Sequence, residues 1–199
     1  MKTILVATLL SLSLSTGPDG AEQHLKAGAT AFREGRYDEA LVEFRVAQKR
    51  GAQDAAAYAA AALVKLGRAE EALDAFGSVD APTGDPLLDF YRAMACYDAR
   101  LYACADRFLA GVASQGGPGM SEQAARTRAA IAAVLGDQPT TGTIDWYLAR
   151  CENPDPRRAR LATAYCAEAV ALSQRRPDAY GKVRAQQVLA NARKAGAAR

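Results

Sequence analysis

The side chains best suited to chemistry in this chain are four cysteines and a single histidine. The cysteines are Cys96, Cys104, Cys151 and Cys166, and the histidine is His24. A zinc site needs about four Cys, His or acidic ligands at short recurring spacings, and no two cysteines here form a CxxC pair. We therefore expect no metal and no cofactor, with His24 facing solvent at the start of a helix.

Sequence motifs of known catalytic chemistry are missing. The chain contains no GxSxG, no HExxH, no GxGxxG and no phosphate-binding loop. Two acidic pairs, Asp38 with Glu39 and Glu70 with Glu71, fall where helices are expected to begin, and there they complement the positive end of the helix dipole. The chain is therefore expected not to be an enzyme. A catalytic site in the loop 142–146 is the alternative.

The first fifteen residues, MKTILVATLLSLSLS, have the layout of an export signal. One Lys precedes an uncharged apolar run from Ile4 to about Leu14, and small residues follow it. The run is shorter than the roughly 18–20 residues of a membrane-spanning helix, and no Cys follows it to carry a lipid. We expect residues 1–20 to be a signal peptide and lead-in, cleaved near Ser15 or Ala21, and the mature protein to be periplasmic or secreted.

Charge is distributed unevenly along the chain, although the formal net charge is only +3. Residues 16–149 carry 13 Lys or Arg against 18 Asp or Glu, whereas residues 150–199 carry 11 against 4. A basic end is able to bind nucleic acid or anionic lipid, but an exported protein rarely meets nucleic acid. We expect the basic end to be a solvated terminal cap and nucleic acid not to be a partner.

A repeat of 32 to 33 residues organises the first half of the chain. Half of all residues are hydrophobic but only 7% are aromatic, which favours closely packed helices over sheets. The aligned segments are GRYDEALVEFRVA (35–47), GRAEEALDAFGSV (67–79) and RLYACADRFLAGV (100–112). In this alignment Ala40, Ala72 and Ala105 are equivalent. Another helical stretch precedes each segment, so the repeating unit is a helical hairpin.

These hairpins resemble the tetratricopeptide repeat (TPR) family. The first unit matches the family pattern at Gly28, Gly35, Tyr37, Ala40, Phe44 and Ala47. The second unit keeps Gly67, Ala72 and Phe76, and the third keeps Ala93, Tyr102 and Ala105 but has Arg100 at the turn. The resemblance covers residues 21 to about 118. It implies tandem hairpins that stack because each one leaves an apolar flank for the next to cover.

The predicted fold is all-α, a short right-handed TPR-like solenoid with a helical C-terminal cap. Three hairpins are expected over residues 21–118, with helices near 21–34, 37–50, 54–66, 69–77, 86–99 and 101–114. Asp54 and Asp85 are expected to cap the helices that follow them. Residues 119–199 are expected to form a degenerate hairpin plus C-terminal capping helices, near 121–135, 143–151, 155–175 and 177–194.

The TPR resemblance also identifies a candidate binding surface, because the first helix of each TPR hairpin lines a concave groove. The residues at helical spacing on these helices are Leu25, Ala29, Phe32, Ala57, Ala61, Val64, Leu87, Phe90, Met94 and Tyr97. They are apolar, whereas chaperone-binding TPR domains carry Lys and Asn there. An apolar groove suits a peptide or amphipathic helix of another protein. Alternatively, the C-terminal helices cover the groove, or some of these residues belong to the hairpin core.

A disulfide is expected between the two helices of the third hairpin. Cys96 and Cys104 each lie four residues from Arg100 at the turn, so they reach the same height in an antiparallel pair. The spacing also resembles that of the Sel1-like repeat proteins, whose cysteines bridge the helices of a repeat. Cys151 and Cys166 are a possible second disulfide. Disulfides persist after export, and buried free thiols are the alternative for Cys96 and Cys104.

The function expected from these features is binding of another protein without turnover. The leading hypothesis is an exported TPR-type adaptor that holds a partner segment in its concave groove. The alternative is a structural subunit of a cell-envelope assembly that uses its acidic repeats and basic end to contact neighbours. Fold alone does not fix function, but an open groove favours the adaptor and a groove filled by the chain's own helix favours the structural subunit.

Overall fold

Helices make up every regular element in the part of the chain that the structure describes. This computed structural model describes residues 18–77, 82–153 and 159–197, and within these ranges the all-α prediction is confirmed. The ten helices found there are α1 (Pro18–Arg33), α2 (Tyr37–Lys49), α3 (Ala55–Lys65), α4 (Ala69–Phe76), α5 (Pro86–Asp98), α6 (Tyr102–Gln115), α7 (Pro118–Leu135), α8 (Thr141–Glu152), α9 (Ala159–Gln174) and α10 (Lys182–Ala197).

The first six helices lie within three residues of the bounds predicted from the repeat. The largest difference is at α1, which begins at Pro18 and so includes the last three residues of the predicted lead-in. Proline is favourable at the first position of a helix because its missing N–H would have no partner there anyway. The rest of the predicted export signal, residues 1–17, lies outside the described residues.

The first helix of each hairpin ends in the same type of turn. Gly35, Gly67 and Arg100 occupy equivalent positions and have φ angles of 78°, 72° and 62°. At the third turn, the N–H of Leu101 donates to the carbonyl of Cys96 at 2.7 Å, which is the six-to-one hydrogen bond of a Schellman motif. The turn geometry therefore recurs in all three hairpins although the third has no glycine.

Small residues bring the two helices of each hairpin together. Ala40, Ala72 and Ala105 on α2, α4 and α6 are fully buried, and helix axes come closest where the side chains between them are small. Gly28 on α1 has the same effect, because a β-carbon at this position would lie 2.7 Å from the ring of Phe44 on α2. Consecutive helices from α1 to α6 pack against one another, and α3 also packs against α5.

The C-terminal helices pack in two groups. Helix α7 packs on α6, whereas α8, α9 and α10 pack on one another, and α9 packs back onto α6 and α4. Helix α7 also begins at Pro118 rather than Ser121, whose hydroxyl donates to the carbonyl of Gly116 at 2.8 Å. Helix α10 begins at Lys182, because Asp178 instead accepts from the N–H of Tyr180 in the preceding turn.

One of the two predicted aspartate caps is present. Asp85 adopts an extended backbone, and its carboxylate accepts from the N–H of Leu87 at 2.8 Å at the start of α5. Asp54 makes no side-chain cap, and its backbone is already helical, with φ −82° and ψ −10°. The prediction for Asp54 was wrong because a capping side chain needs the extended backbone that aims it at the first N–H groups.

Both cysteine pairs form disulfides in the structure. Cys96 on α5 is joined to Cys104 on α6, with Cα atoms 5.9 Å apart. Cys151 on α8 is joined to Cys166 on α9, with Cα atoms 4.9 Å apart. Disulfides of this kind are characteristic of proteins in oxidising compartments. None of the helices in the described ranges has the length and apolar character that crossing a membrane requires.

Candidate functional site

The predicted groove residues lie on α1, α3 and α5 and differ in their exposure. Leu87 is 43% exposed, and Ala29 is exposed as well. The half-buried members of the set are Leu25, Phe32, Ala57, Val64, Met94 and Tyr97. Ala61 and Phe90 are buried, with 3% and 9% of their surface exposed. These two residues therefore belong to the core beneath the groove, as one of the alternatives at the sequence level allowed.

Aromatic rings link the first and third hairpins on this surface. The ring centroid of Phe32 on α1 lies 5.6 Å from that of Tyr91 on α5 and 5.3 Å from that of Tyr37 on α2, both edge-on. The ammonium group of Lys65 lies 5.9 Å from the centre of the Tyr37 ring and 5.6 Å from that of Tyr91. Such placement over aromatic faces is favourable because the ring faces are electron-rich.

Sequence reasoning missed three members of this cluster. Tyr91 and Lys65 were absent from the predicted groove, although each lies four residues after one of its members, Leu87 or Ala61. Tyr37 was recognised only as a turn residue of the repeat. Burial raises the pKa of Tyr91, and the neighbouring Tyr37 raises it further, so its hydroxyl stays neutral at physiological pH. The cluster therefore presents a largely neutral aromatic surface with one cation.

The C-terminal helices pack mainly against helices that do not carry this surface. Helix α9 packs against α4 and α6, which are the second helices of their hairpins, whereas the candidate groove lies on the first helices α1, α3 and α5. The docking is specific, since the carboxylate of Glu168 on α9 accepts from the N–H groups of Ala103 at 2.6 Å and Cys104 at 3.0 Å. These N–H groups belong to the first turn of α6, so Glu168 caps that helix.

The histidine noted in the sequence pairs with a residue of another helix. His24 is half-buried rather than solvent-facing, and its Nδ1 lies 2.6 Å from a carboxylate oxygen of Glu43 on α2. This position on the inner side of α1 was missed because the sequence places His24 only relative to the helix start. In the residues that the structure describes, no group of three or more His, Cys, Asp or Glu side chains is arranged to hold a metal ion.

Residues 142–146, proposed as an alternative catalytic loop, belong instead to helix α8. Gly142, Thr143 and Trp146 of this segment line a cleft of about 500 Å³. Within it the hydroxyls of Thr140 and Thr143 bond to each other at 2.9 Å. The hydroxyl of Tyr147 donates to the carbonyl of Arg100, and burial, followed by the charge of Glu168, raises the pKa of Tyr147 well above its usual value. A phenol held neutral in a hydrogen bond to a backbone carbonyl acts as a structural tie between α8 and the third hairpin.

Two surfaces are therefore candidates for binding: the apolar face of α1, α3 and α5, and the clefts where α8 and α9 meet the hairpin turns. Apolar clefts and patches that persist on a folded surface commonly mark binding sites. The chain itself is all-helical over the described residues. No protein-family model, no curated protein and no solved structure matches it.

Proposed function

We propose that this protein is an exported TPR-type adaptor that binds an apolar segment of another protein on the face formed by α1, α3 and α5. The observation that carries the proposal is the combination of exposed and half-buried apolar side chains on this face, including Leu87, Met94 and Tyr97. Among the described residues, the C-terminal helices pack mainly on α4 and α6 instead. This arrangement supports a face that is open to a partner.

The partner is proposed to be an amphipathic helix or extended segment with apolar and basic residues. Apolar residues at helical spacing suit the helix-in-groove mode of recognition, in which one face of the ligand is buried. The preference for basic residues follows from the excess of Asp and Glu over residues 16–149, since complementary charge speeds association and disfavours other partners. No cofactor and no chemical turnover are part of this function.

The test compares two charge substitutions of exposed apolar residues. Leu87→Glu places a carboxylate on the proposed face, and Val42→Glu places one on α2, where Val42 is 59% exposed. The probe is a fluorescein-labelled amphipathic helix of leucine and lysine, with a scrambled peptide of the same composition as its control. We expect fluorescence anisotropy to show at least tenfold weaker binding for Leu87→Glu only, because burying a carboxylate against apolar groups is costly.

Two results would contradict the proposal. One is equal binding of the scrambled peptide, which would mean that charge alone attracts the probe. The other is an equal effect of Leu87→Glu and Val42→Glu on affinity. Phe90→Glu is unsuitable as a test because Phe90 is buried, and the substitution is expected to destabilise the fold itself.

Export is a separate part of the proposal. The two disulfides are consistent with an oxidising compartment, and the first fifteen residues have the layout of an export signal. We expect the mature chain to begin between about residues 16 and 22. Intact-mass measurement on protein from its native envelope or medium checks this, and a chain that still begins with Met1 would contradict it.

A structural role in a cell-envelope assembly is the second candidate, and the uneven charge favours it. The acidic hairpins of one copy and the basic C-terminal end of another copy attract each other. This role predicts self-association that weakens as salt screens the charges. Light scattering after size-exclusion chromatography at low and high salt distinguishes it from the adaptor function, for which a monomer at both salt concentrations is expected.

A further inference from the structure

Arg100 has an unfavourable backbone conformation that its repeat equivalents avoid. Its φ angle is 62°, and the equivalent positions in the first two hairpins are Gly35 and Gly67, with φ angles of 78° and 72°. Residues with a β-carbon rarely adopt this left-handed region, whereas glycine enters it freely. The third turn therefore keeps the geometry of the other two while carrying the residue type less suited to it.

The contacts of the Arg100 backbone do not explain the choice of arginine. Its carbonyl accepts a hydrogen bond from the hydroxyl of Tyr147, but a glycine would offer the same carbonyl. Its side chain is exposed, and within the described residues the guanidinium has no hydrogen-bond or ion-pair partner. Strained residues that persist without a structural benefit are concentrated at functional sites. The function of Arg100 is therefore expected to lie in its side chain.

The side chain of Arg100 lines a cleft of about 530 Å³ between the hairpin turns and the C-terminal helices. This volume is within the roughly 300–1,000 Å³ typical of small-ligand pockets. Arg150 on α8 lines the same cleft, and its guanidinium lies 3.3 Å above the centre of the Trp146 ring. The ring of Tyr165 on α9 meets Trp146 edge-on at 5.9 Å. Stacking on Trp146 holds Arg150 in a defined position beside the cleft.

The charges around the cleft limit the ligand it is able to hold. Arg68 and Glu71 neutralise each other through two hydrogen bonds of 2.7 and 2.6 Å. The remaining donors are the guanidinium of Arg100 and the N–H groups of Arg150 other than the one that donates to the carbonyl of Trp146 at 3.2 Å. Glu70 and Asp98 also line the cleft, and partial burial raises the pKa of Asp98. A guanidinium binds carboxylates and phosphates in the same forked geometry. A doubly charged phosphate, however, meets more repulsion from the nearby carboxylates than a singly charged carboxylate does.

We propose that Arg100 and Arg150 bind the carboxylate group of a ligand in the cleft beside Trp146, at the junction of the hairpins and the C-terminal helices. The ligand is either a small organic acid or the free C-terminus of a short peptide, which share this chemistry. Trp146 and Tyr165 supply apolar contacts for the remainder of the ligand. This site is separate from the face of α1, α3 and α5, so a test of ligand binding here does not depend on whether the proposed adaptor function is correct.

Trp146 is the only tryptophan in the chain, so its fluorescence reports on this cleft directly. The probes are butyrate, trialanine with a free C-terminus and trialanine with an amidated C-terminus, each titrated into the full mature protein. Sodium chloride at matched ionic strength is the control. We expect a saturable change in Trp146 emission with butyrate or with free trialanine, and the tighter of the two identifies the source of the carboxylate. The amidated peptide and chloride are expected to produce no saturable change.

Substitution of Arg100 separates a binding role from a structural one. Arg100→Gly is expected to weaken binding at least tenfold and, by relieving the left-handed strain, to raise the Tm by about 2–4 °C. Arg100→Ala keeps the β-carbon and its strain, so it is expected to weaken binding equally without this rise. Arg126→Ala on α7, an exposed arginine outside the cleft, is expected to change neither.

Four results would overturn the proposal. Three concern binding: the absence of a saturable change with both carboxylate probes, equal binding of the amidated peptide, and binding that survives in both Arg100 variants. The fourth is a fall in Tm for Arg100→Gly, because arginine would then stabilise the turn and its presence there would need no ligand.

Discussion

Glu168 is the residue whose charge state has the largest consequence for this fold. Only 2% of its surface is exposed, yet its carboxylate accepts the first N–H groups of α6. Burial raises its pKa to about 7, although the N–H groups of Ala103 and Cys104 and the charge of Arg107 act in the opposite direction. Tyr147 on α8 is a further titratable group that interacts with it. The carboxyl therefore titrates near neutral pH in the folded protein.

This shift makes the stability of the protein depend on pH. The folded pKa of about 7 lies above the 4.5 that is usual for a glutamate carboxyl, so the folded state holds its proton more tightly than the unfolded state. The stabilisation is fully present below pH 4.5 and is lost as the pH rises to about 7. Raising the pH from 5 to 8 is therefore expected to lower the free energy of unfolding by roughly 2–3 kcal/mol through the ionisation of Glu168.

Glu168→Gln tests this pH dependence, because glutamine has nearly the same volume as glutamate but does not ionise. The free energy of unfolding of each protein is measured with denaturant at pH 5 and at pH 8. From pH 5 to pH 8 the natural protein is expected to lose roughly 2–3 kcal/mol more of this free energy than the variant. Parallel pH profiles for the two proteins would show instead that Glu168 is ionised throughout the range.

At the level of single helices, close packing requires glycine at one position and not at another. Gly28 on α1 and Gly111 on α6 are both inside helices, where alanine is intrinsically better by about 0.5–1 kcal/mol. A β-carbon at Gly28 would lie 2.7 Å from the ring of Phe44, which is 2% exposed, whereas one at Gly111 meets nothing within 4 Å. The same substitution is therefore expected to have opposite effects.

Gly28→Ala is expected to destabilise the protein by about 1 kcal/mol or more, since overpacking costs about 1–3 kcal/mol and exceeds the gain in helix propensity. Gly111→Ala is expected to stabilise it by about 0.5–1 kcal/mol. Chemical denaturation of both variants measures these changes. Stabilisation by Gly28→Ala would mean that α1 and α2 are free to move apart.

The disulfides connect pairs of helices, and each is expected to stabilise its pair. The closed loops span 8 and 15 residues of sequence separation, for which loop-closure entropy gives roughly 2–3 kcal/mol each. The paired substitutions Cys96→Ala with Cys104→Ala, and Cys151→Ala with Cys166→Ala, are expected to lower the free energy of unfolding by about this amount. Peptide mapping without reduction checks the pairing, which a cross-linked Cys96–Cys151 peptide would contradict.

Two helix ends depend on groups supplied by other helices. Arg92 on α5 donates to the carbonyl of Phe76, the last residue of α4, at 3.0 Å, and its guanidinium lies 5.1 Å from the centre of the Phe76 ring. Glu168 on α9 caps the start of α6 in the complementary way. A cation at the C-terminus of a helix and an anion at its N-terminus both interact favourably with the helix dipole. The Arg92 cap therefore ties the third hairpin to the second, and the Glu168 cap ties α9 to the third.

For the whole molecule, this dependence predicts that the three hairpins do not form a self-sufficient unit. A fragment of residues 21–118 loses Glu168, the hydroxyl of Tyr147 on the turn at Arg100, and the cover that α9 provides for α4 and α6. We expect it to show less helix per residue by circular dichroism than the full chain, with a broader and lower melting transition. A cooperative transition at the full-length Tm would show that the C-terminal helices are dispensable.

The exposure of the candidate face was only partly foreseeable from sequence. The spacing of Leu87 and Met94 placed them on a face that the structure leaves partly exposed, but it placed Phe90 there as well, and Phe90 is buried. Helical periodicity gives the direction of a side chain around one helix axis. It does not give the depth at which a neighbouring helix covers that side chain, so Tyr91 and Lys65 were not recognised.

The features that could be predicted from the amino-acid sequence are local: the helices of the repeat, the three hairpin turns and the matched heights of Cys96 and Cys104. Each follows from interactions between residues that are close in the chain, such as the proline and aspartate at the start of α5 or the alanines at equivalent repeat positions. The docking of α9 could not be predicted, because Glu168 and the N–H groups it caps are about 65 residues apart. The cleft at Arg100 could not be predicted either, because a cleft shared by distant segments arises only when those segments pack together and exclude water.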